Sequence, residues 1–285
     1  MEYIVKANAK INMGLNILKK LDSGYHTLDM IMVPISLSDT MNVKISNKNG
    51  VLKITTNKKE IPNDKRNILY KTYEFFFAES ELEEKEILIH LEKEIPHEAG
   101  LGGGSSDGAA FLNLLNKFHD NYFTKKQLET MSLKIGADIP FFIQNYPSRV
   151  NGIGEKLQKL ENNIKEKILL IKPKFGISTK KAYESIGLEK ERKTANIDEI
   201  IEGMKEGNVK KIENSIVNQL EESLLNFEEN LVSFKKKLDK TGYKFFMSGS
   251  GSAYFAFVSE HAKSEHLKPL QNQLNDCEVF LCNFL

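Results

Sequence analysis

The chain has 285 residues, and its 40 lysines and arginines nearly balance its 39 aspartates and glutamates. The resulting charge of +1 argues against nucleic-acid-binding and polybasic membrane-surface proteins, because both classes carry a basic excess. Only three of the basic residues are arginine. A phosphate site in this chain is therefore expected to use backbone N–H groups and lysine rather than a cluster of guanidinium groups.

Strands are predicted along most of the first 60 residues. Apolar residues alternate with Asn12, Gly14 and Asn16 between Ile11 and Ile17, which is the period-2 pattern of a half-buried strand. Helical spacing of apolar residues follows from Asn67 to about Glu79. Further short strands are predicted at 28–35, 41–46, 51–56 and 86–95.

The second half of the chain mixes helices and strands. A helix is predicted after the glycines at 100–104, up to about Lys117. Thr124 and Gln127 form a capping box at the start of a second helix, which runs to Ile135. Turn residues at 145–166 indicate a boundary. Beyond it, strands are predicted at 168–172, 243–247, 253–258 and 278–284, and helices between 179 and 240 and at 263–274. Without regular alternation of strand and helix, this order predicts an α+β fold.

Cysteine use and the absence of long apolar stretches bound the protein class. Cys277 and Cys282 lie on the last predicted strand, and no neighbouring His or Cys completes a zinc site. The N-terminus lacks a signal-peptide apolar stretch, and no stretch approaches the 18 apolar residues of a membrane span. We expect a soluble, cytoplasmic protein.

The most informative segment has four glycines between Gly100 and Gly104, followed by Ser105, Ser106 and Asp107. Such a segment is costly to order, so its backbone is expected to adopt unusual φ angles or to approach another group closely. It precedes a helix, and the free N–H groups at a helix N-terminus favour an anion. The two hydroxyls can donate to phosphate oxygens or help to hold Mg²⁺.

Two common phosphate-binding patterns do not match this segment. No lysine follows the glycines, which excludes the Walker pattern, and Ser105 stands where the dinucleotide pattern requires glycine. A plain glycine-rich turn capped by Ser or Asp is the alternative. A second Gly/Ser loop at Ser248–Ser252 resembles a weaker anion nest, although a tight hairpin explains it equally well.

With these loops in view, the sequence resembles the GHMP kinases, the superfamily of galactose, homoserine, mevalonate and phosphomevalonate kinases. Their phosphate loop has the form P-x-x-x-G-L-G-[GS]-[GS]-[SA]-S, and Pro96–Ser106 matches it without a break. We call this segment the glycine-rich loop. Ala7–Asn12 and Ser248–Ser252 resemble the superfamily's other sequence blocks.

Finer features resemble the family of 4-diphosphocytidyl-2-C-methyl-D-erythritol kinases. Its blocks are matched by Lys10 with Asn12, by Gly24-Tyr25-His26, by Gly136–Pro140, by Gly152–Glu155, and by Pro173–Thr179 with Tyr183. The sequence departs from the family at Asn8, Ser23, Gly108, Lys19 and Lys20, where the family usually has Pro, Asp, Ala, Arg and Arg. None of these departures removes a catalytic group.

The resemblance implies an α+β, two-domain GHMP kinase fold with the active site in the inter-domain cleft. It implies a nucleotide-binding domain at 1–150 and a substrate-binding domain at 151–285. Asp138 is the expected base and Lys10 the cation that stabilises charge in the transition state. Expected ATP-binding residues are Pro96, His97, Glu98, Ala99, Gly100, Leu101, Gly102, Gly103, Gly104, Ser105 and Ser106.

For the acceptor substrate, the resemblance implies Asn12, Tyr25, His26 and Tyr183, since aromatic rings can stack on a cytosine base. The implied cofactors are ATP and Mg²⁺, with metal ligands that the sequence does not identify. The implied partners are small molecules, ATP and a cytidine-diphosphate sugar alcohol, without nucleic acid or membrane. We expect a monomer or a weak homodimer.

The resemblance implies ATP-dependent phosphorylation of the cytidine-diphosphate sugar alcohol, and two other functions compete with this reaction. Another GHMP kinase would act on mevalonate or homoserine, which carry no base to stack, so the Gly-Tyr-His block argues against it. A non-catalytic member would only bind nucleotide or a partner. The presence of Lys10, Asp138 and the whole glycine-rich loop argues against that alternative.

Overall fold

The computed structural model describes residues 1–186 and 192–285. The part of the predicted helical region 179–240 that falls on 187–191 lies outside the described residues. None of the helices in the two described ranges combines the length and the apolar character that crossing a bilayer requires.

Strands and helices alternate irregularly along the described chain, which confirms the α+β class. The strands are β1 (Glu2–Lys20), β2 (His26–Asn49), β3 (Leu52–Thr56), β4 (Lys85–Glu92), β5 (Ser148–Gly152), β6 (Lys156–Lys159), β7 (Lys167–Pro173), β8 (Phe246–Met247), β9 (Tyr254–Val258) and β10 (Cys277–Cys282). The helices are α1 (Ile68–Ser80), α2 (Gly103–Phe118), α3 (Lys125–Ser132), α4 (Ile139–Gln144), α5 (Thr179–Glu184), α6 (Ile197–Glu206), α7 (Val209–Ser215), α8 (Gln219–Leu224), α9 (Glu229–Asp239) and α10 (Lys268–Gln273).

The chain forms two compact units whose segments interleave along the sequence. The first unit contains Met1–Ala9, Leu37–Ile95 and Gly102–Asn145, and the second contains Lys10–Ser36, Pro96–Leu101 and Tyr146–Leu285. This division differs from a single cut at residue 150, because the long strands β1 and β2 contribute to both units and the glycine-rich loop passes from the second to the first.

In the first unit, helices pack beside a small mixed sheet. The C-terminal half of β2 pairs antiparallel with β4, which pairs in parallel with β3. Helix α2 packs against α1 and α4. Fully buried rings of these helices, such as Phe76, Phe111 and Phe141, fill the core of the unit. The inward positions of β4 are Ile87, Ile89 and Leu91, so the strand before the glycine-rich loop is held by the core of this unit.

In the second unit, the N-terminal half of β2 pairs with β5, and β5 pairs with β6. A separate antiparallel sheet has the order β10-β7-β9-β8. Cys277 and Cys282 lie at the two ends of β10, and both are free thiols. Helix α6 packs against α7, and α5 against α8.

Strand β1 differs from its prediction as a half-buried strand. Its polar positions are buried as well as its apolar ones, with Asn12 only 2% and Asn16 only 5% exposed. The Asn16 amide exchanges hydrogen bonds with the backbone of Ala195, and Gly14 lies against Ile200. Alternation alone cannot distinguish such satisfied polar positions from solvent-facing ones.

Three other elements differ from the sequence predictions. Residues 28–35 and 41–46 belong to one continuous strand, β2, because the backbone stays extended through Pro34. The region 145–166, predicted as a boundary, contains β5 and β6. Helix α4 was not predicted, since its six residues are almost uniformly apolar and show no helical period.

Candidate functional site

The end of the glycine-rich loop forms the N-terminus of α2. Gly102 is the N-cap residue with φ of 72°, a left-handed conformation that glycine adopts without strain, and no side chain caps the helix. The N–H of Ser106 already donates to the carbonyl of Gly102. The N–H groups of Gly103, Gly104 and Ser105 precede this first helical bond, so they have no intrahelical acceptor and are available to bind an anion.

The beginning of the loop is anchored within the second unit. The carbonyl of Glu98 accepts from Ile177 and Ser252, and the carbonyl of Ala99 accepts from Ala253. Ala99 and Leu101 are buried, whereas His97 and Glu98 face solvent. Among the loop residues predicted to bind ATP, Glu98 and Ala99 therefore hold the backbone in place through their carbonyls.

Gly100 is pressed against the second Gly/Ser loop. Its φ is +72°, and a Cβ atom at this position would overlap the carbonyl oxygen of Ser248 and lie 2.9 Å from the amide nitrogen of Gly251. The hydroxyl of Ser248 also donates to the carbonyl of Gly100 over 3.1 Å. A side chain at residue 100 is therefore incompatible with this arrangement.

Lys10 and Asn12 lie together on β1. Both are buried, with 5% and 2% exposure, and the Lys10 ammonium donates to the Asn12 side-chain oxygen. The Lys10 backbone N–H donates to the carbonyl of Leu101 over 3.0 Å. The strand thereby brings the predicted cation, the predicted acceptor-binding amide and the glycine-rich loop into one place in the second unit.

The second Gly/Ser loop completes this cluster. A Cβ atom on Gly249 would lie 2.9 Å from Lys10 Nζ and 3.0 Å from Asn12 Oδ1. The side chain of Asn218 fixes the loop by donating to the carbonyls of Met247 and Gly249. Glycine at 249 therefore allows the Lys10 ammonium to approach the backbone, which a plain hairpin would not require.

Asp138 lies in the first unit, at the N-cap of α4. Its side chain makes no capping hydrogen bond and is half-buried. A Cβ atom on Gly136, in the turn before it, would lie 4.0 Å from Ser105 Oγ, and Ile139 packs against both Gly136 and Gly108 of α2. The turn that carries Asp138 is therefore fixed beside the first turn of α2.

The aromatic residues predicted for the acceptor are placed differently from one another. His26 and Tyr183 stack within the second unit, with ring centroids 5.5 Å apart and planes inclined by 21°. Tyr25 is 57% exposed and has no ring contact among the described residues. Burial lowers the pKa of His26 from its ordinary value of 6.5, and the positive charges of Lys20 and Arg192 lower it further. The imidazole is therefore neutral at pH 7.

A buried charge cluster that sequence reasoning missed lies beside the loop in the first unit. Its members are Asp39, Lys93 and Asp107, and Lys93 Nζ donates to a carboxylate oxygen of each aspartate. Burial raises the pKa of Asp107 to about 7, against the opposing effect of the Lys93 charge. Burial favours a lower pKa for Lys93, but the two carboxylates raise it above its ordinary value.

Strand periodicity contained a signal for this cluster. Lys93 continues the inward positions Ile87, Ile89 and Leu91 of β4, in phase with the buried Ile95. A lysine at such a position is buried only when it is paired. The two acidic partners lie 54 and 14 residues away in the sequence, so strand periodicity alone does not identify them.

The side-chain oxygens near the glycine-rich loop determine how Mg²⁺ could be held. Within 1–186 and 192–285, no group of three or more His, Cys, Asp or Glu side chains is arranged to hold a metal ion. Mg²⁺ is commonly held by substrate phosphates, water and one or two protein oxygens. The half-buried Ser105 hydroxyl fits that use better than the buried Ser106 hydroxyl.

Two family models match the sequence. The model of the GHMP kinases N terminal domain matches residues 67–145. The model of the GHMP kinases C terminal region matches residues 195–276. The first match includes the glycine-rich loop and Asp138, and the second includes the Ser248–Ser252 loop.

Individual proteins match over nearly the full length. A 4-diphosphocytidyl-2-C-methyl-D-erythritol kinase from Fusobacterium nucleatum is 48% identical over 284 residues, covering 99% of this chain and 97% of the relative. A crystal structure of 4-(cytidine 5'-diphospho)-2C-methyl-D-erythritol kinase superposes with a TM-score of 0.80 at 25% identity, covering 100% of this chain and 99% of the other. A homoserine kinase structure from Cytophaga hutchinsonii superposes with a TM-score of 0.74 at 17% identity, covering 99% of this chain and 95% of the other. This likeness concerns the fold alone.

Proposed function

Because the chain belongs to the 4-diphosphocytidyl-2-C-methyl-D-erythritol kinase family of GHMP kinases, we propose that it transfers the γ-phosphoryl group of ATP to the 2-hydroxyl of 4-(cytidine 5'-diphospho)-2-C-methyl-D-erythritol. This reaction belongs to the non-mevalonate route to isoprenoid precursors. The observation that carries the proposal is the 48% identity to a relative of that name over 97% of its length.

The triphosphate binds at the glycine-rich loop. The unbonded N–H groups at the start of α2 face an anion, and the positive end of the helix dipole adds to their attraction. Arg66 and Arg149 are paired with Asp64 and Asp29, and we assign the phosphate contacts to backbone amides and lysine. Mg²⁺, when bound, supplies charge neutralisation on the phosphates, and the Ser105 hydroxyl is the protein oxygen that suits it.

Asp138 acts as the base. Its carboxylate lies on a turn fixed beside Ser105, and it is not used in capping α4. It accepts the proton of the acceptor hydroxyl as that oxygen attacks the γ-phosphorus. Because the reaction is a direct displacement, no phosphorylated protein residue is required.

Lys10 provides the positive charge and Asn12 the orientation. Lys10 is only 5% exposed within the second unit, so the charge of its ammonium is weakly screened and favours the developing alkoxide. Asn12, which accepts from Lys10, offers its amide group to a hydroxyl of the acceptor. Lys10 is thus oriented by a neighbour on the same strand.

The cytidine base stacks on the His26–Tyr183 pair, and Tyr25 extends the surface from its exposed position. The rings are already in mutual contact, so the base packs on an outer face of the pair. Asn12, His26 and Tyr183 all belong to the second unit. We therefore assign acceptor binding to that unit rather than to residues 151–285 alone.

The test is ADP release, measured in a coupled assay with the cytidyl acceptor, mevalonate and homoserine in parallel. We expect release with the cytidyl acceptor, and a new phosphate monoester in the product by ³¹P NMR. Release with mevalonate or homoserine alone would reject the assignment. The absence of release with all three acceptors, in a protein that still binds ATP, would favour a binding protein.

A further inference from the structure

The buried charge cluster contains more charge than a stable core needs. Asp39 is 0%, Asp107 3% and Lys93 7% exposed. Two carboxylates share one ammonium, and Asp107 Oδ1 has no hydrogen-bond partner among the described residues. Buried ion pairs of this kind seldom add net stability, because desolvation offsets their attraction. An unsatisfied oxygen adds a further cost.

The position of the cluster explains what it does. Asp39 Oδ1 accepts from the backbone N–H groups of Glu94 and Ile95 over 2.6 and 2.8 Å, and these residues directly precede Pro96. Lys93 Nζ donates over 2.8 Å to Oδ2 of Asp107, which directly follows Ser106. One network therefore holds the residues on both sides of the glycine-rich loop.

The loop also rests on the cluster at Gly103. A Cβ atom there would lie 3.0 Å from Ile95 Cγ2 and 3.3 Å from Lys93 Nζ. The backbone of Gly103 therefore leaves no room for a side chain beside Ile95 and the ammonium that joins the two aspartates. A displacement of Lys93 would therefore shift the backbone in the first turn of α2.

We propose that Asp39, Lys93 and Asp107 are positioning residues for ATP, because together they clamp the two ends of the glycine-rich loop and set the directions of its N–H groups. Anion binding by amides depends on their preorganisation, and small misplacements of binding groups are costly. The proposal rests on the proposed function only in that ATP binds at this loop.

The competing explanation is that the cluster only stabilises the first unit. Asn116 provides the matched control, since it lies in the same helix at its opposite end and is buried to a similar extent, 5%. Its amide exchanges hydrogen bonds with the backbone of Phe123. Asn116→Ala therefore weakens the same unit without touching the loop.

The experiment compares Asp107→Ala, Asp107→Asn and Asn116→Ala with the parent protein. ATP affinity is measured by calorimetry without acceptor, Tm by thermal unfolding, and KM and kcat in the ADP-release assay. Asp107→Ala leaves Lys93 paired with Asp39, so the protein should still fold. If it does not, Asp107→Leu fills the volume without restoring the hydrogen bond and replaces it in the comparison.

We expect Asp107→Ala to weaken ATP binding by about tenfold or more, with KM for ATP rising in parallel and KM for the acceptor within twofold of the parent. Asp107→Asn, which can still accept from Lys93, should recover most of that affinity. Asn116→Ala should lower Tm and leave ATP affinity unchanged. Parent-like ATP affinity in Asp107→Ala would overturn the proposal, as would equal losses of ATP affinity in Asp107→Ala and Asn116→Ala.

The calorimetric measurement separates this inference from the proposed function. A protein that binds ATP with the expected dependence on Asp107, but phosphorylates none of the acceptors, would sustain the clamp and refute the acceptor. If the protein phosphorylates the expected acceptor but its ATP affinity does not depend on Asp107, the proposed function would hold and the clamp would be refuted.

Discussion

Gly100 and Ser248 approach so closely that no side chain fits between them. A Cβ atom on Gly100 would overlap the Ser248 carbonyl oxygen, and the residue has φ of +72°. Two loops 148 residues apart in the sequence are joined at this point by the hydrogen bond from Ser248 Oγ to Gly100 O. The glycine is therefore required by contact as well as by backbone conformation.

Gly100→Ala should lower both stability and activity. The left-handed conformation alone costs an L-residue about 1–2 kcal/mol, and the overlap must displace the Ser248–Ser252 loop from Lys10. We expect a lower Tm and at least about a hundredfold loss of kcat/KM, in line with misplaced catalytic groups. Thermal unfolding and the ADP-release assay measure the two effects.

Gly104→Ala is the stability control, because a Cβ atom there would meet nothing within 4 Å. Alanine in the first turn of a helix should leave Tm unchanged or raise it slightly. A Gly100→Ala protein as stable as Gly104→Ala would show that the contact with Ser248 is not maintained in solution.

The glycine-rich loop could be predicted from sequence because its signals are local. Four glycines, a preceding alternating strand and a following helical period all lie between residues 86 and 117. The structure confirms the helix after the loop, from Gly103 to Phe118. The GHMP family inferred from this segment is also confirmed, by the matches of both family models.

Features that depend on distant residues could not be predicted in this way. Asp39 and Lys93 are 54 residues apart, and Lys93 and Asp107 are 14 apart. Nothing in the local pattern at Asp39 indicates its partners. The interleaving of the two units has the same origin, since the crossing of β1 and β2 from one unit to the other leaves no mark in composition or turn residues.

Asp138→Asn should remove the base while retaining the shape of the turn. We expect kcat to fall by at least about a hundredfold, the usual size of a general-base contribution, with KM for ATP nearly unchanged. The Asp138 side chain caps no helix, so Tm should stay close to that of the parent. Near-normal turnover in the folded variant would remove Asp138 from the mechanism.

Lys10→Met should lower kcat by at least about a hundredfold, because it removes a buried charge that acts in the transition state. Methionine retains much of the apolar part of the lysine side chain. It removes the ammonium group that donates a hydrogen bond to the side-chain oxygen of Asn12. Single-turnover measurements at saturating substrates separate this loss of chemistry from weaker binding. A variant with weaker substrate binding but an unchanged rate of the chemical step would contradict the role of Lys10.

Tyr183→Ala should raise KM for the cytidyl acceptor and leave KM for ATP unaffected. Stacking of a base on an aromatic ring contributes about 1–3 kcal/mol, so a rise of roughly tenfold is expected. Tyr183→Phe retains the ring against His26 and should keep the KM for the acceptor close to that of the parent. Equal acceptor KM values for the alanine and phenylalanine variants would place the cytidine elsewhere.

The charge state of His26 gives a pH-dependent prediction. Burial, Lys20 and Arg192 lower its pKa below 6.5, so the folded protein binds fewer protons at this site than the unfolded chain. The corresponding part of the stability is present above pH 6.5 and is lost as the pH falls through the lowered pKa. The parent should lose more Tm than His26→Gln when the pH is lowered from about 7 to 5.5.

A histidine NMR titration tests the cause of this shift directly. In the parent, the His26 ring signals should titrate below pH 6.5, and Arg192→Gln should move the midpoint back toward 6.5 because one opposing positive charge is gone. A neutral imidazole at pH 7 retains a nitrogen lone pair that can accept from the amino group of cytosine. A midpoint above 6.5 in the parent would mean that His26 is substantially protonated at pH 7, and the assignment of this ring as a neutral partner for the base would then be wrong.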